Sequence, residues 1–201
     1  ILDDAEATIL LADPMTAESV DRVDTVTVLA SSEGGGYPWT SAEGAGQSRY
    51  PRPLCTPDDP AGFAYTSGTT GRPKGVVHSH YNVLLPGAVL NATRSYGPTL
   101  RKGDSTALTI LNLQIANTLL VAQAGGTQII IDRVDPAGIA AWIRRERVNC
   151  WFGVPTQLFG LAHAADVDVD DLSTLRDVWT GGAHIPPAVR AAFEERFGKA
   201  V

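Results

Sequence analysis

The sequence predicts an α/β fold, a mostly parallel sheet with helices on both faces in a three-layer arrangement. Three observations predict it. From residue 63 to residue 197, apolar runs of strand length alternate with stretches of helical periodicity. Thr127-Gln-Ile-Ile-Ile131 is the continuous apolar kind of run that suits a strand buried on both faces. Glycine-bearing stretches follow two of the predicted strands, and ligands in such sheets bind beyond the strands' carboxyl ends. Right-handed crossovers follow from the same architecture. The two glycine-bearing strand ends, at residues 66–75 and 181–183, are therefore expected to share one crevice.

The elements are justified in order. Residues 1–7 suit the end of a helix with Ile1 and Leu2 facing a core, and residues 8–12 a short strand stopped by Asp13-Pro14. In residues 25–30 the set Val26, Val28 and Ala30 alternates, which predicts a second strand. Residues 31–60 are rich in Gly, Ser and Pro and read as a long surface connection, with Trp39 and Tyr50 as candidate anchors. Residues 1–60 are thus expected to hold the end of a preceding α/β element and this connection, and residues 61–201 an α/β subdomain. A helix is predicted from Ser79 or His80 towards Tyr96, kinked at Pro86-Gly87. Gly103-Asp104 reads as a turn, residues 105–111 as a strand, and residues 114–123, apolar on most faces, as a buried helix ended by Gly125-Gly126.

Asp135-Pro136 has the form of an N-cap followed by proline at the first helical position. Arg144, Arg145 and Arg147 crowd that helix's end, where its dipole favours cations, and read as a solvated helix end. Strands are expected at residues 148–152 and 175–180 and a helix at 155–164, with His163 interacting with its carboxyl end. Pro186 opens the last helix and Gly198 closes it.

The chemistry concentrates in Thr66-Ser-Gly-Thr-Thr-Gly-Arg-Pro-Lys-Gly75. Ten residues hold four hydroxyl side chains, three glycines and one lysine. Gly68, Gly71 and Gly75 let backbone N–H groups close around an anion. Thr66, Ser67, Thr69 and Thr70 can donate to phosphate oxygens, and Lys74 adds a mobile point charge. A solvent-facing turn of the same composition is the alternative. A Walker loop is excluded: counting from Gly68, the second glycine position holds Pro73, and Lys74 is followed by Gly75 in place of a hydroxyl residue.

This decapeptide resembles the phosphate-loop signature of the adenylate-forming enzymes: acyl-CoA synthetases, aryl-CoA ligases, luciferases and peptide-synthetase adenylation domains. Its lead-in Asp58-Asp-Pro-Ala61 and exit Gly75-Val-Val-His-Ser-His80 match too. So do Gly125-Gly-Thr-Gln-Ile-Ile-Ile131, Asp135-Pro136, Gly153-Val-Pro-Thr156, and Leu172-Ser-Thr-Leu-Arg176 followed by Gly181-Gly-Ala183. The resemblance covers nearly the whole chain, which looks like an internal piece of the family's large amino-terminal domain.

The resemblance implies ATP-dependent conversion of a carboxylic acid to acyl-AMP, then thioester formation with CoA. ATP, Mg2+ and CoA are the implied cofactors, with magnesium bridging the phosphates and no metal ligand in this chain. Thr66 and Lys74 carry the catalytic assignment, and Thr66, Ser67, Gly68, Thr69, Thr70, Gly71, Lys74 and Gly75 the ATP phosphates. Gly181, Gly182, Ala183, His184 and Asn112 carry the adenine and acyl side. The family's later acidic metal ligand, ribose-binding aspartate and mobile lysine are not in this chain, so the chain alone is expected to be inactive and to self-associate through exposed apolar surface. An adenylation domain serving a carrier protein, and a nucleotide-binding module without chemistry, remain open alternatives. Two departures stand out. Where the family carries Pro-x-x-His, this chain has Leu108-Thr-Ile-Leu-Asn-Leu-Gln114, with Asn112 or Gln114 as stand-ins. His184 occupies a position where many relatives have proline, as a helix cap, a solvated side chain or a substrate contact.

Composition narrows the partners. The formal charge of −6 argues against a nucleic-acid surface. No apolar run approaches the length of a membrane span, and no basic-then-apolar leader is present. Two cysteines, Cys55 and Cys150, fit no disulfide or metal spacing and are expected as free thiols in a reducing cytoplasm. The acid substrate reads as fatty, long-chain fatty acids included, or aryl, from the apolar character of residues 110–120.

Overall fold

Charged residues form the middle of the main sheet. The computed structural model describes residues 1, 4–12, 27–30, 54–66, 73–108 and 111–201. Trp39, Tyr50, Asp13-Pro14 and most of the Gly/Pro-rich connection lie outside the described residues. The chain divides into two compact units, residues 1–80 and residues 81–201. The boundary read from composition, between residues 60 and 61, falls within the first of them.

In the first unit, β1 (Ile9–Ala12) and β2 (Thr27–Ala30) pair in parallel. The helix end expected at residues 1–7 is instead a turn over residues 4–6, and Ile1 is 66% exposed rather than facing a core. β3 (Pro60–Thr66) and β4 (Lys74–Ser79) pair antiparallel, with Phe63 opposite Val77, Tyr65 opposite Gly75 and Thr66 opposite Lys74. The segment expected as a phosphate loop therefore joins the strands of a hairpin and does not follow a parallel strand, which corrects the expected placement. The reason is chain length: the few residues between Thr66 and Lys74 cannot make a parallel crossover, which needs a dozen or more. The lead-in is tied down as well. The Asp59 carboxylate accepts from the Thr56 N–H at 2.7 Å, and the Asp59 carbonyl accepts from the His80 N–H at 3.1 Å.

α1 (His80–Arg94) runs through Pro86 as one helix and leads into the second unit. There β5 (Arg101–Asp104), β6 (Thr127–Ile130), β7 (Cys150–Gly153) and β8 (Asp177–Thr180) form a parallel sheet in the order β6-β5-β7-β8. The expected turn at Gly103-Asp104 and strand over residues 105–111 give way to β5. Apolar periodicity cannot mark a strand whose buried side chains are Lys102 and Asp104. The buried helix expected over residues 114–123 is three segments: α2 (Leu111–Leu113), a π-helix (Gln114–Leu119) and α3 (Leu120–Ala124). Gly125, at φ 69°, ends it.

The alternation of side chains along each strand places a core on both faces. Ile129, Trp151 and Val178 pack with Ile139 and Ile143 of α4 (Pro136–Glu146), Leu158 and Leu161 of α5 (Pro155–His163), and Phe193 and Phe197 of α6 (Pro187–Phe197). Their neighbours Cys150 and Trp179 join Leu100, Leu120, Val121 and Ala124, with Leu90 of α1 and Tyr96 against them. The three-layer α/β expectation holds for this unit.

The predicted cap Asp135 is present, accepting from the Gly138 N–H at 2.9 Å, and Arg147, expected only as part of a solvated helix end, closes α4 at φ 51°. Arg144 pairs with Asp171 at 2.8 Å, and the Arg145 guanidinium lies 3.8 Å from the Trp142 ring centre. His163 bonds the Phe159 carbonyl at 2.8 Å, as expected at a helix end. Cys55 and Cys150 are free thiols. Among the described residues, no helix is long and apolar enough to cross a membrane.

Candidate functional site

The hairpin and the sheet edge each hold part of the predicted site. At the hairpin, Thr66 and Lys74 are cross-strand partners, so their hydroxyl and ammonium groups leave the same face side by side. Both are exposed. Ser67, Gly68, Thr69, Thr70 and Gly71 lie outside the described residues. Gly75 has a definite packing reason: a Cβ there would come 3.1 Å from the Tyr65 ring, which crosses over it. The Tyr65 hydroxyl donates to the Asp4 carboxylate at 2.7 Å, and that bond raises the phenol above its ordinary range. The strand leading into the loop is thus clamped from the side.

At the carboxyl edge of the parallel sheet, β8 runs into Gly181, Gly182, Ala183 and His184. Gly182 sits at φ 82°, a backbone region that side chains with a Cβ rarely adopt, so glycine is needed for this turn. A Cβ on Gly181 would lie 3.4 Å from the Phe152 ring of the neighbouring strand, and one on Gly182 3.8 Å from Val154. The edge is therefore a shelf of bare backbone beside Phe152 and Val154. Ala183 and His184 are exposed beyond it. Asn112 and Gln114 are exposed on the α2 and π segments. Among the described residues, no hydrogen bond joins Asn112 or His184 to the glycine turn.

Buried polar residues that periodicity does not flag hold this edge together. Asp104, at the end of β5, accepts from the Thr106 N–H at 2.8 Å, from the Thr106 hydroxyl and from the Asn117 amide of the π-helix. Burial raises the Asp104 carboxyl above its ordinary value, and the Thr106 bonds oppose that rise. The Gln157 side chain accepts from the Val154 N–H at 3.0 Å and donates to the Ser105 carbonyl at 3.4 Å. It ties the start of α5 to the end of β5. Gln157 was within reach of the sequence, since it stands three residues after the helix-opening Val154. Asn117 showed only as one amide in an apolar stretch. Lys102 is wholly buried one turn of pleat before Asp104, and burial holds its ammonium below the ordinary lysine value. The described residues hold no group of three His, Cys, Asp or Glu side chains placed for a metal ion.

Comparison with known proteins gives the family and the fold. The family described as AMP-binding enzyme matches residues 1–201, and the chain belongs to it. The chain is 30% identical over 190 residues to 4-coumarate–CoA ligase 2 of Oryza sativa subsp. japonica, covering 89% of this chain and 33% of that protein. It is 32% identical over 207 residues to the long-chain-fatty-acid–CoA ligase of Thermus thermophilus, covering 96% of this chain and 37% of that protein. The chain thus spans about a third of the length of these relatives. ATP-bound MatB from Rhodopseudomonas palustris superposes on the whole chain and 40% of its own length with a TM-score of 0.86 at 24% identity, a likeness of fold.

Proposed function

We propose that this chain is the phosphate-binding part of an acid–CoA ligase that activates a carboxylic acid with ATP. The observation that carries the reading is the hydroxyl- and lysine-bearing hairpin loop, in a chain that the AMP-binding enzyme family matches throughout. Attack of the substrate carboxylate on the α-phosphorus releases pyrophosphate and leaves acyl-AMP. Charge develops on the departing pyrophosphate, and fixed donors lower that barrier most when they are placed before the reaction. The Thr66 hydroxyl can donate to a phosphate oxygen, and the Lys74 ammonium can follow the charge as it moves. Ser67, Gly68, Thr69, Thr70, Gly71 and Gly75 are assigned to the same phosphates. Magnesium would supply charge neutralisation on the phosphates, with no side chain of this chain assigned to hold it.

Residues 61–201 are read as the nucleotide-binding subdomain, with Gly181, Gly182, Ala183, His184 and Asn112 on the adenine and acyl side. The relatives' names support CoA as the acceptor and a fatty or aryl acid as the substrate. The two free thiols support a reducing, cytoplasmic setting.

The test is to incubate an enzyme of full family length carrying this segment with ATP, magnesium and a panel of fatty and aryl acids, and to follow pyrophosphate. CoA is then added and thioester followed. Pyrophosphate release dependent on one acid class, with thioester appearing only after CoA, is the expected result. Pyrophosphate without thioester would move the acceptor to a carrier protein, and no release from any acid would remove the reading.

A further inference from the structure

One face of the parallel sheet carries polar groups that the described residues do not satisfy. Gln128, Lys102, Cys150 and Asp177 stand in register across the four strands, and Asp104, Phe152 and Trp179 occupy the next row of that face. Lys102 is wholly buried and its Nζ has no hydrogen-bond partner. That Nζ lies 4.5 Å from the Trp179 ring centre and 5.9 Å from that of Phe152. Both amide atoms of Gln128 and the Trp179 indole N–H are also buried without partners.

The acids nearby are committed elsewhere. Asp104 accepts from Thr106 and Asn117, and Asp177 accepts from Arg94 at 3.2 Å. Burial keeps the Cys150 thiol protonated, and the Tyr96 hydroxyl contacts its sulfur at 3.7 Å. Burial disfavours the Lys102 ammonium, while the Asp104 and Asp177 carboxylates favour it. Three donors and one acceptor, the Gln128 Oε1, therefore lie unpartnered on one face, and that one acceptor cannot serve all three donors, an arrangement that costs free energy until a guest supplies another.

The position of Phe152 identifies the guest. A Cβ on Gly181 would lie 3.4 Å from its ring, and the Lys102 amine lies 5.9 Å from the same ring's centre. Lys102 is thus one aromatic ring behind the glycine shelf. A water could satisfy one or two of these groups, but two aromatic faces beside them suit a larger, partly apolar molecule.

We propose that Lys102, with Gln128 and Trp179, forms the far end of the acyl site and selects carboxylic acids that bear a second oxygen acceptor remote from the reacting carboxylate. The acceptor is a carboxylate, a phenolic oxygen or a carbonyl. Phe152, half-buried, is the ring that turns aside to admit it. The inference rests on assigning the Gly181 turn to the acyl side in the proposed acid activation. A site built to hydrogen-bond a substrate group rejects the analogue that lacks it more strongly than an apolar pocket rejects a missing methylene, because its own polar groups are then left unpaired.

The experiment uses the full-length enzyme and matched acids: 4-hydroxybenzoate against benzoate, and suberate against octanoate. Pyrophosphate release gives kcat/KM for each. The wild type is expected to favour the acceptor-bearing member of at least one pair by about 100-fold or more, and Lys102→Met to reduce that preference to about threefold, with the KM for ATP little changed. Gln128→Leu is expected to reduce it by a smaller factor. Near-UV circular dichroism checks each variant's packing. A folded Lys102→Met that keeps the preference, or a wild type that favours the plain acid in both pairs, overturns the proposal. Should Lys102→Met fail to fold, Gln128→Leu decides, and an untouched preference there overturns it. Absence of pyrophosphate release with every acid would instead remove the acid-activation reading beneath it.

Discussion

The hairpin and the parallel sheet handle their polar residues in opposite ways. Around the hairpin, Thr66 and Lys74 are exposed, and so are the apolar Phe63, Val76 and Val77 on the same strands. In the sheet and the helices against it, Lys102, Asp104, Asn117 and Gln157 are buried, and three of the four are bonded across elements. An exposed cation can be lost with little harm to the fold. A buried polar group left without its partner is costly, because its desolvation is not recovered. Chemistry and stability are therefore separable at the hairpin and joined at the sheet.

Substitutions can break or sharpen that contrast. The largest effect is expected for Leu158→Ala, which empties a wholly buried position between α5 and the sheet. It should lower unfolding free energy by about 2–5 kcal/mol in urea denaturation. A loss under about 1 kcal/mol would mean that the sheet's core is not the seat of stability. Lys74→Ala, on the hairpin, should leave the denaturation midpoint in place. In the full-length enzyme it should cost about 1.5–3 kcal/mol of transition-state stabilisation, the range for a hydrogen bond to a charged group. Unchanged pyrophosphate exchange would take Lys74 out of the phosphate site.

Gly182→Val tests whether the sheet edge behaves as the contrast says. The positive φ makes any β-branched residue strained there, by about 1–3 kcal/mol. Calorimetry should show nucleotide affinity in the full-length enzyme falling further than stability does. Unaltered ATP affinity would move the adenine away from this turn.

The smallest effect is expected for Asp135→Ala. The Gly138 N–H, then Arg133, hold the Asp135 carboxyl below its ordinary value of 3.8. A depressed folded value means that the cap's contribution is fully present above that pH and is lost as pH falls through the lower, folded value. The melting temperature of the variant should lie slightly below that of the wild type at neutral pH, and the gap should close in acid. A gap that widens in acid would show that the capping carboxylate is not its source.

What could be read in advance follows the same division. The proposed phosphate loop is local, ten consecutive residues whose side chain types suggest the chemistry. The caps Asp135 and Gly198 are local too, and the structure has both. The sheet edge depends on pairing between distant segments. Lys102 and Asp104 sit in β5 because strands on either side shield them, and no period in the chain around Arg101 announces that. The apolar character of residues 105–111 drew the expected strand one element too late. The hairpin carried a usable signal in its spacing, since Thr66 and Lys74 stand too close in the chain for a helix to return between parallel strands. The π-helix had none, because a segment apolar on most faces looks alike at either helical pitch.

The π-helix between Gln114 and Leu119 also says something about how this edge can change over time. A π turn holds one residue more than the α turn it replaces, so the segment carries a spare residue in its winding. Removing that spare residue would let the segment rewind as an ordinary α-helix with α2 and α3 still in phase, because the wider turn is what absorbs the extra residue. The change would fall on the residues inside the segment, Asn117 and its bond to Asp104 among them. A one-residue deletion at this point would thus redraw the wall of the sheet edge locally while leaving β5, β7 and β8 in register, a route to altered ligand choice shorter than any set of substitutions in the core.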